Sequence, residues 1–271
     1  MTKKTAYIKT IIIACGIFAE SYFLTQSFIS YFETQGYFSL NFGLLSSIGL
    51  LILGLAYTVS LSAPAWGEWS QFIIVSFPFT LGVYLNLFTL EPANALVISG
   101  LAFLILSFFV ERAVKLEKVL AKTIPSVFLR PAIRGLLLAV SIVAAGTVLL
   151  NPKDHAKDIS ERIGDLTQQN ISQIVGKPME ENPELSDLID YTSIESNVSD
   201  EITNQVETAI EPYRNLLNIL MAGLVLATMQ GFNAIIFLVF ATTINLLFFV
   251  AKKIGFIKKD TVMIQKEILK F

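Results

Sequence analysis

Histidine and cysteine are almost missing from this chain: His155 and Cys15 are the only examples among 271 residues. With one histidine, set in a hydrophilic stretch, neither an intramembrane Ser–His pair nor a His-ligated zinc site can be assembled. With one cysteine, no intramolecular disulfide can form, and the redox compartment is not readable from it. Aspartate is absent before Asp154 and again between Glu211 and Asp260, which removes a membrane aspartyl dyad. There is no P-loop, no G-x-G-x-x-G string and no cysteine pair. The basic stretches lack interleaved aromatics on which bases would stack, so no nucleic acid is expected. These absences lead to the expectation of a protein that is not an enzyme and needs no cofactor or metal.

Charge is scarce as well. Charged residues make up 15% of the chain, where a soluble domain carries about 25%. Apolar residues reach 54%, aromatics 11% and the mean hydropathy +0.63. The charges that exist are segregated, which a soluble surface does not require. Basic residues gather at Lys3, Lys4 and Lys9, between Arg112 and Arg134, and between Lys252 and Lys270. Fourteen of the 22 carboxylates lie between Asn151 and Glu211, against only Lys153, Lys157, Arg162 and Lys177.

A bilayer core of about 30 Å needs about 20 mostly apolar residues as a helix. Thr10–Phe32, Asn41–Ser62, Ser70–Leu90 and Ala93–Val110 meet or approach that length, with Pro78 inside the third and Glu91-Pro92 as a tight turn before the fourth. Gly135–Leu150 and Leu216–Met229 are shorter, and Gln230-Gly231 separates the latter from Phe232–Val250. Cys15 ends the string Ile12-Ile13-Ala14-Cys15 in the manner of a lipoprotein cleavage site. The apolar run before it is only Ile11–Ala14, too short for a signal core of about 7–15 residues. The first segment is therefore read as a retained helix with a membrane-buried cysteine.

The expected architecture is an all-α, polytopic integral membrane helical bundle of six or seven hydrophobic helices. Residues 1–150 form an N-terminal membrane bundle with a basic connector at 112–134. Residues 151–211 form a small acidic helical segment outside the membrane, residues 212–251 a C-terminal hydrophobic hairpin or hinged span, and residues 252–271 a basic tail. Because lysine and arginine in short loops favour the cytoplasm, the N-terminus and the connector are expected there, in a plasma or inner membrane. A fifth span then carries 151–211 outside; if Gly135–Leu150 does not cross, the segment is cytoplasmic instead. Two further spans leave Lys252–Lys270 outside, against the same rule, so the side of the tail stays open.

Within the acidic segment, Ile159, Ile163, Leu166, Ile171 and Ile174 recur at helical spacing, with Asp154 as a cap and Gly176 as a stop. Asn182-Pro183 reads as a second helix start. Ser199 reads as the cap of a third helix lined by Ile202, Val206 and Ile210, with a kink at Pro212. Such short amphipathic helices need each other, the membrane surface or a partner.

Few side chains invite chemistry. Glu20 sits near the middle of the first span, where a carboxylate is costly and marks function by default. Gly16 and Ser27 share its face at 100° per residue. The functional reading is an ion- or proton-coupling group; the plain one is an interhelical hydrogen bond. No Lys, Arg or His is central in another span, so a hydrogen bond is expected rather than an ion pair. Trp66 and Trp69 read as interface anchors. Gly223, Ala227 and Gly231 form a small-xxx-small face that permits close helix packing; Gly135 and Ala139 repeat the spacing once.

The first functional expectation is a structural or assembly subunit of the membrane, whose acidic segment binds a protein partner. Homo-oligomer contacts through 151–211 or the C-terminal helices are the other form of this reading. The second is a small transporter or channel using Glu20.

Overall fold

A computed structural model of the protein describes residues 3–34, 42–66, 70–119, 124–150, 155–171 and 191–256, and every regular element among them is a helix. In chain order these are α1 (Lys3–Thr34), α2 (Phe42–Ser62), α3 (Phe77–Leu87), α4 (Pro92–Val119), the single turn α5 (Pro125–Phe128), α6 (Arg130–Leu150), α7 (His155–Ile171), α8 (Tyr191–Ile210) and α9 (Arg214–Lys253). Five helices are long and apolar enough to cross a membrane: α1, α2, α4, α6 and the stretch ending in α9. That number and composition point to a membrane protein.

The third hydrophobic run folds as a π-helical turn, Phe72–Ser76, leading directly into α3. Pro78 explains the widening. It has no N–H to give to Ile74, and its ring would collide with that carbonyl, so the preceding turn opens. The five residues of the π turn and the eleven of α3 give roughly 24 Å of helix at about 1.5 Å per residue.

Side-chain contacts fix the directions of the helices. Gly82 and Asn86 of α3 meet Phe18 and Tyr22 of α1 in ascending order, so these two run parallel. The Glu20–Thr58 contact sets α2 against α1, and Tyr57 meets Thr243 while Gly49 meets Phe232, so α2 and α9 run parallel. α4 follows α3 after the tight turn at Phe88–Glu91 and lies beside α6, with Phe109 on Gly135 and Ile98 on Gly146. The helices thus alternate up and down.

α6 is the centre of the bundle. Its apolar window is 78% buried, against 22–39% for the other long helices. Ala132, Gly135, Ala139, Ala144 and Gly146 make this possible by keeping its surface close to its backbone. A Cβ on Gly135 would lie 2.7 Å from Phe109 Cγ, and one on Gly146 2.7 Å from Ile98 Cδ1. Within lipid, where burying apolar surface between helices gains little, such close approach is a main source of association.

Four sequence expectations change. The run Gly135–Leu150 looks short only because Arg130–Arg134, read there as connector, is the first turn of α6. The break at Gln230-Gly231 does not occur, and in place of the hairpin or hinged span expected within 212–251 stands α9, one helix of 40 residues. A glycine inside a helix costs only about 1 kcal/mol, and the apolar helix formers on both sides outweigh it. In the connector 112–134, where Lys115, Lys118 and Lys122 share one helical side in the sequence, α4 continues without a break from the apolar run to Val119. Ser199 is not a cap: it lies inside α8 and donates to the Gly164 carbonyl of α7 at 3.2 Å. The expected Asp154 cap, Gly176 stop and Asn182-Pro183 start lie outside the described residues.

Candidate functional site

Glu20 is half-buried between α1 and α2. The Thr58 hydroxyl lies 3.0 Å from Glu20 Oε1 and 3.1 Å from the Gly54 carbonyl, so one proton serves two acceptors. Gly54 leaves space for the carboxyl group; a Cβ there would lie 3.4 Å from Oε1. Glu20 Oε2 is sealed from the surface and has no hydrogen-bond partner among the described residues. The predicted stripe is only partly assembled. Gly16 faces Thr58 of α2, as expected for a shared face, but the Ser27 hydroxyl turns back to the Phe23 carbonyl at 2.8 Å. Thr58 and Gly54 complete the site, and nothing local in the sequence singled them out.

A second polar contact lies deeper. Asn233 of α9 is 3% exposed and donates to the Leu137 carbonyl at 2.8 Å and to Ser141 Oγ at 2.7 Å. It links α9 to the central helix. One asparagine among apolar residues gave no periodicity to detect.

The interface and packing candidates separate in the same way. Trp66 is half-buried, with its indole N–H on Ser62 Oγ at 2.7 Å; Trp69 lies outside the described residues. Gly223, Ala227 and Gly231 line one exposed face of α9. Nothing among the described residues lies within 4 Å of a Cβ built on Gly223 or Gly231, so the stripe packs against none of them. Cys15 is also exposed, on the outer side of α1.

α7 and α8 pack against each other. Gly164 lies against Thr203 and Ser199, and any side chain there would collide with Thr203 Oγ1. Ile159, Ile163, Ile202, Val206 and Ile210 are half-buried between or beside the two helices. Asp165, Asp200, Glu201 and Glu211 are exposed around them, as are Leu166 and Val198. Only the turn Glu211–Tyr213 lies between α8 and α9. Pro212 explains that turn, because it cannot extend the α8 hydrogen-bond ladder.

The cationic groups collect at the other end of the bundle. α9 stops at Gly255, whose φ of +73° suits a glycine beyond a helix end. The Phe256 N–H closes the turn on the Ala251 carbonyl at 2.9 Å. There Lys9 of α1 reaches the Phe256 carbonyl at 3.1 Å. Ser126 of α5 contacts Asn245 of α9 at the same end. The sequence reading passed over Gly255, although a glycine shortly after basic residues at the end of an apolar run is a signal for such a stop.

Comparison with protein families, with curated proteins and with solved structures finds no match, so any function must be argued from this geometry.

Proposed function

We propose that this chain is a non-enzymatic, multi-pass subunit of the cell membrane that holds an acidic helical hairpin outside the membrane as the docking surface for a protein partner. In this reading six helices cross: the five long ones and the shorter Phe72–Leu87 segment. The latter falls a few ångströms short of a hydrocarbon core of about 30 Å, a mismatch that local bilayer thinning absorbs. An even number of passes keeps the N-terminus, the basic 112–134 region and the Lys252–Lys270 tail together in the cytoplasm, as the loop-charge rule favours. The α7–α8 hairpin is then on the opposite side.

The observation that carries this reading is the mounting of the hairpin. α8 and α9 are joined by a single tight turn inside one helical stretch, Asn197–Lys253, 57 residues long. The acidic surface therefore stands on a stiff support rather than on a loose linker. Its exposed carboxylates suit a partner with a basic face, and the exposed Leu166 and Val198 give it apolar contact area.

The test combines topology with deletion. Reporters fused after Asp190 and after Phe271 are expected outside and in the cytoplasm, respectively. Replacing residues 155–210 with a short linker is expected to leave the bundle inserted and to abolish assembly with the partner. A cytoplasmic signal after Asp190, or an unchanged assembly after the deletion, rejects the proposal.

The partnerless Glu20 Oε2 favours a second reading, in which Glu20 couples proton or cation movement between α1 and α2. Flux through purified chain in liposomes that disappears with Glu20→Gln would establish it. No flux above that of empty liposomes would remove it.

A further inference from the structure

We infer that the cleft between the end of α4 and the start of α6 is a binding site for the phosphate of an anionic lipid headgroup. The cleft holds about 440 Å³, and Arg112, Lys115, Arg130 and Arg134 open onto it from two helices. Phe109, Leu116 and Pro131 supply its apolar wall. The inference rests on reading the bundle as membrane-embedded, and it holds whichever side this end faces.

Loop cations that only set topology need to be numerous, not convergent. These converge. Arg112 and Lys115 are one turn apart on α4, and Arg130 and Arg134 are one turn apart on α6, so two pairs face one cavity. The α6 pair is also held in place. The Arg130 and Arg134 guanidinium groups lie 5.6 and 5.5 Å from the centre of the Phe237 ring of α9, a cation–π arrangement. On these two helices Lys115 pairs with Glu111 at 2.6 Å. Arg112, Arg130 and Arg134 carry no carboxylate partner among the described residues, and each guanidinium presents a planar fork suited to a phosphate.

The apolar side of the cleft identifies the source of that phosphate. Leu101, Leu104 and Phe108 are exposed on α4, at 47%, 65% and 60%. At 100° per residue they fall on the same stripe as Arg112 and Lys115. The outer face of α4 therefore changes from hydrocarbon-compatible to cationic within one turn, at the mouth of the cleft. A phospholipid fits that sequence of surfaces: acyl chains along Leu101–Phe108, phosphate among the arginines. A soluble phosphate would use only the upper part.

The experiment uses the full chain, purified in neutral detergent. Phosphatidylglycerol, phosphatidylcholine or inorganic phosphate is added, and retained lipid is counted by native mass spectrometry. Phosphatidylglycerol is expected to be retained in preference to phosphatidylcholine, without competition from an equal concentration of inorganic phosphate. Arg130→Gln with Arg134→Gln is expected to lower retention about tenfold or more. Arg130→Lys with Arg134→Lys keeps the charge that insertion needs and is expected to weaken retention by a smaller factor. Lys252→Gln with Lys253→Gln removes equal charge from the same end but outside the cleft, and is expected to change nothing.

Equal loss in the Lys252/Lys253 variant overturns the cleft in favour of a diffuse surface effect. Equal retention of phosphatidylcholine overturns the anionic preference, and competition by inorganic phosphate overturns the lipid assignment. Extraction of the chain from its native membrane by alkaline carbonate would instead reject the membrane reading, before any lipid is added.

Discussion

Lys9, in the second turn of α1, donates a hydrogen bond to the carbonyl of Phe256 just past the end of α9, and its ammonium group lies 4.5 Å from the centre of the Phe256 ring. Two residues 247 positions apart thereby fix the first and last long helices at one end of the bundle. In the six-pass reading proposed above, that contact puts both residues on one side of the membrane. Thiols introduced as Lys9→Cys and Phe256→Cys, in a Cys15→Ser background, are therefore expected to be joined by a short bifunctional reagent in intact membranes. Both should also react with an impermeant thiol reagent from the same side. Labelling from opposite sides would show an odd number of passes.

The glycines divide by what surrounds them. At Gly82 an added Cβ would lie 2.7 Å from the Phe18 carbonyl oxygen, and at Gly164 it would run into Thr203. Backbone and a short side chain cannot withdraw as a flexible tip can. Gly82→Ala and Gly164→Ala are each expected to destabilise by about 1–3 kcal/mol, measured by thermal or denaturant unfolding in mixed micelles. Gly223→Ala and Gly231→Ala meet nothing among the described residues and gain helix propensity, so the folded chain should be unchanged or stabilised by up to ~1 kcal/mol. If those two variants instead dissociate a purified oligomer while the monomer stays folded, the α9 stripe is an interface between copies.

These contrasts also show where the sequence was legible. Long apolar runs identified the helices of the bundle because a membrane-spanning helix declares itself by length and composition alone. The periodicity of Ile159 and Ile163, and of Ile202, Val206 and Ile210, identified the two helices of the acidic hairpin. What failed was local punctuation. Gln230-Gly231 reads as a break, yet the flanking helix runs through it. Ser199 reads as a cap, yet its hydroxyl serves a neighbouring helix. Glu20 could be found because a carboxylate stands out among apolar residues, whereas Thr58 and Gly54 are ordinary residues made notable only by convergence across helices, and the arginines between Arg112 and Arg134 showed as a basic run without showing which of them converge. Periodicity carries no record of which helix will be the neighbour.

Asn233 provides a measure of how firmly α9 is held. Its amide nitrogen bridges the Leu137 carbonyl and Ser141 Oγ on the most buried helix. Asn233→Ala removes both contacts and leaves a gap beside α6. Interhelical polar contacts in membranes average about 0.6 kcal/mol, reaching ~1.7 at most. The expected loss in unfolding free energy is therefore of that size, increased somewhat by the gap. Ser141→Ala alone should cost less, because the Leu137 carbonyl still accepts. A double-mutant cycle on the two positions measures their coupling, and a coupling of zero would deny the contact.

The carboxyl group of Glu20 is held by one shared proton, from Thr58, and by the absence of a side chain at Gly54. Glu20→Gln keeps an oxygen that can accept from Thr58, so folding should be little affected. It also fixes the group in a neutral state, so any charge movement that depends on the carboxylate should stop. Thr58→Val removes the donor and keeps the shape, and is expected to cost about 1 kcal/mol or less. Gly54→Leu places bulk against Oε1, which would lie 3.4 Å from even the first added carbon; it should force Glu20 away from α2 and separate the two helices. Intact folding with lost flux in Glu20→Gln would make the carboxylate a coupling group. Full stability and unaltered behaviour in Glu20→Gln, together with a destabilised Gly54→Leu, would make it a packing contact whose second oxygen is tolerated without a partner. The two outcomes differ in what must be measured, since stability alone cannot report the movement of a proton.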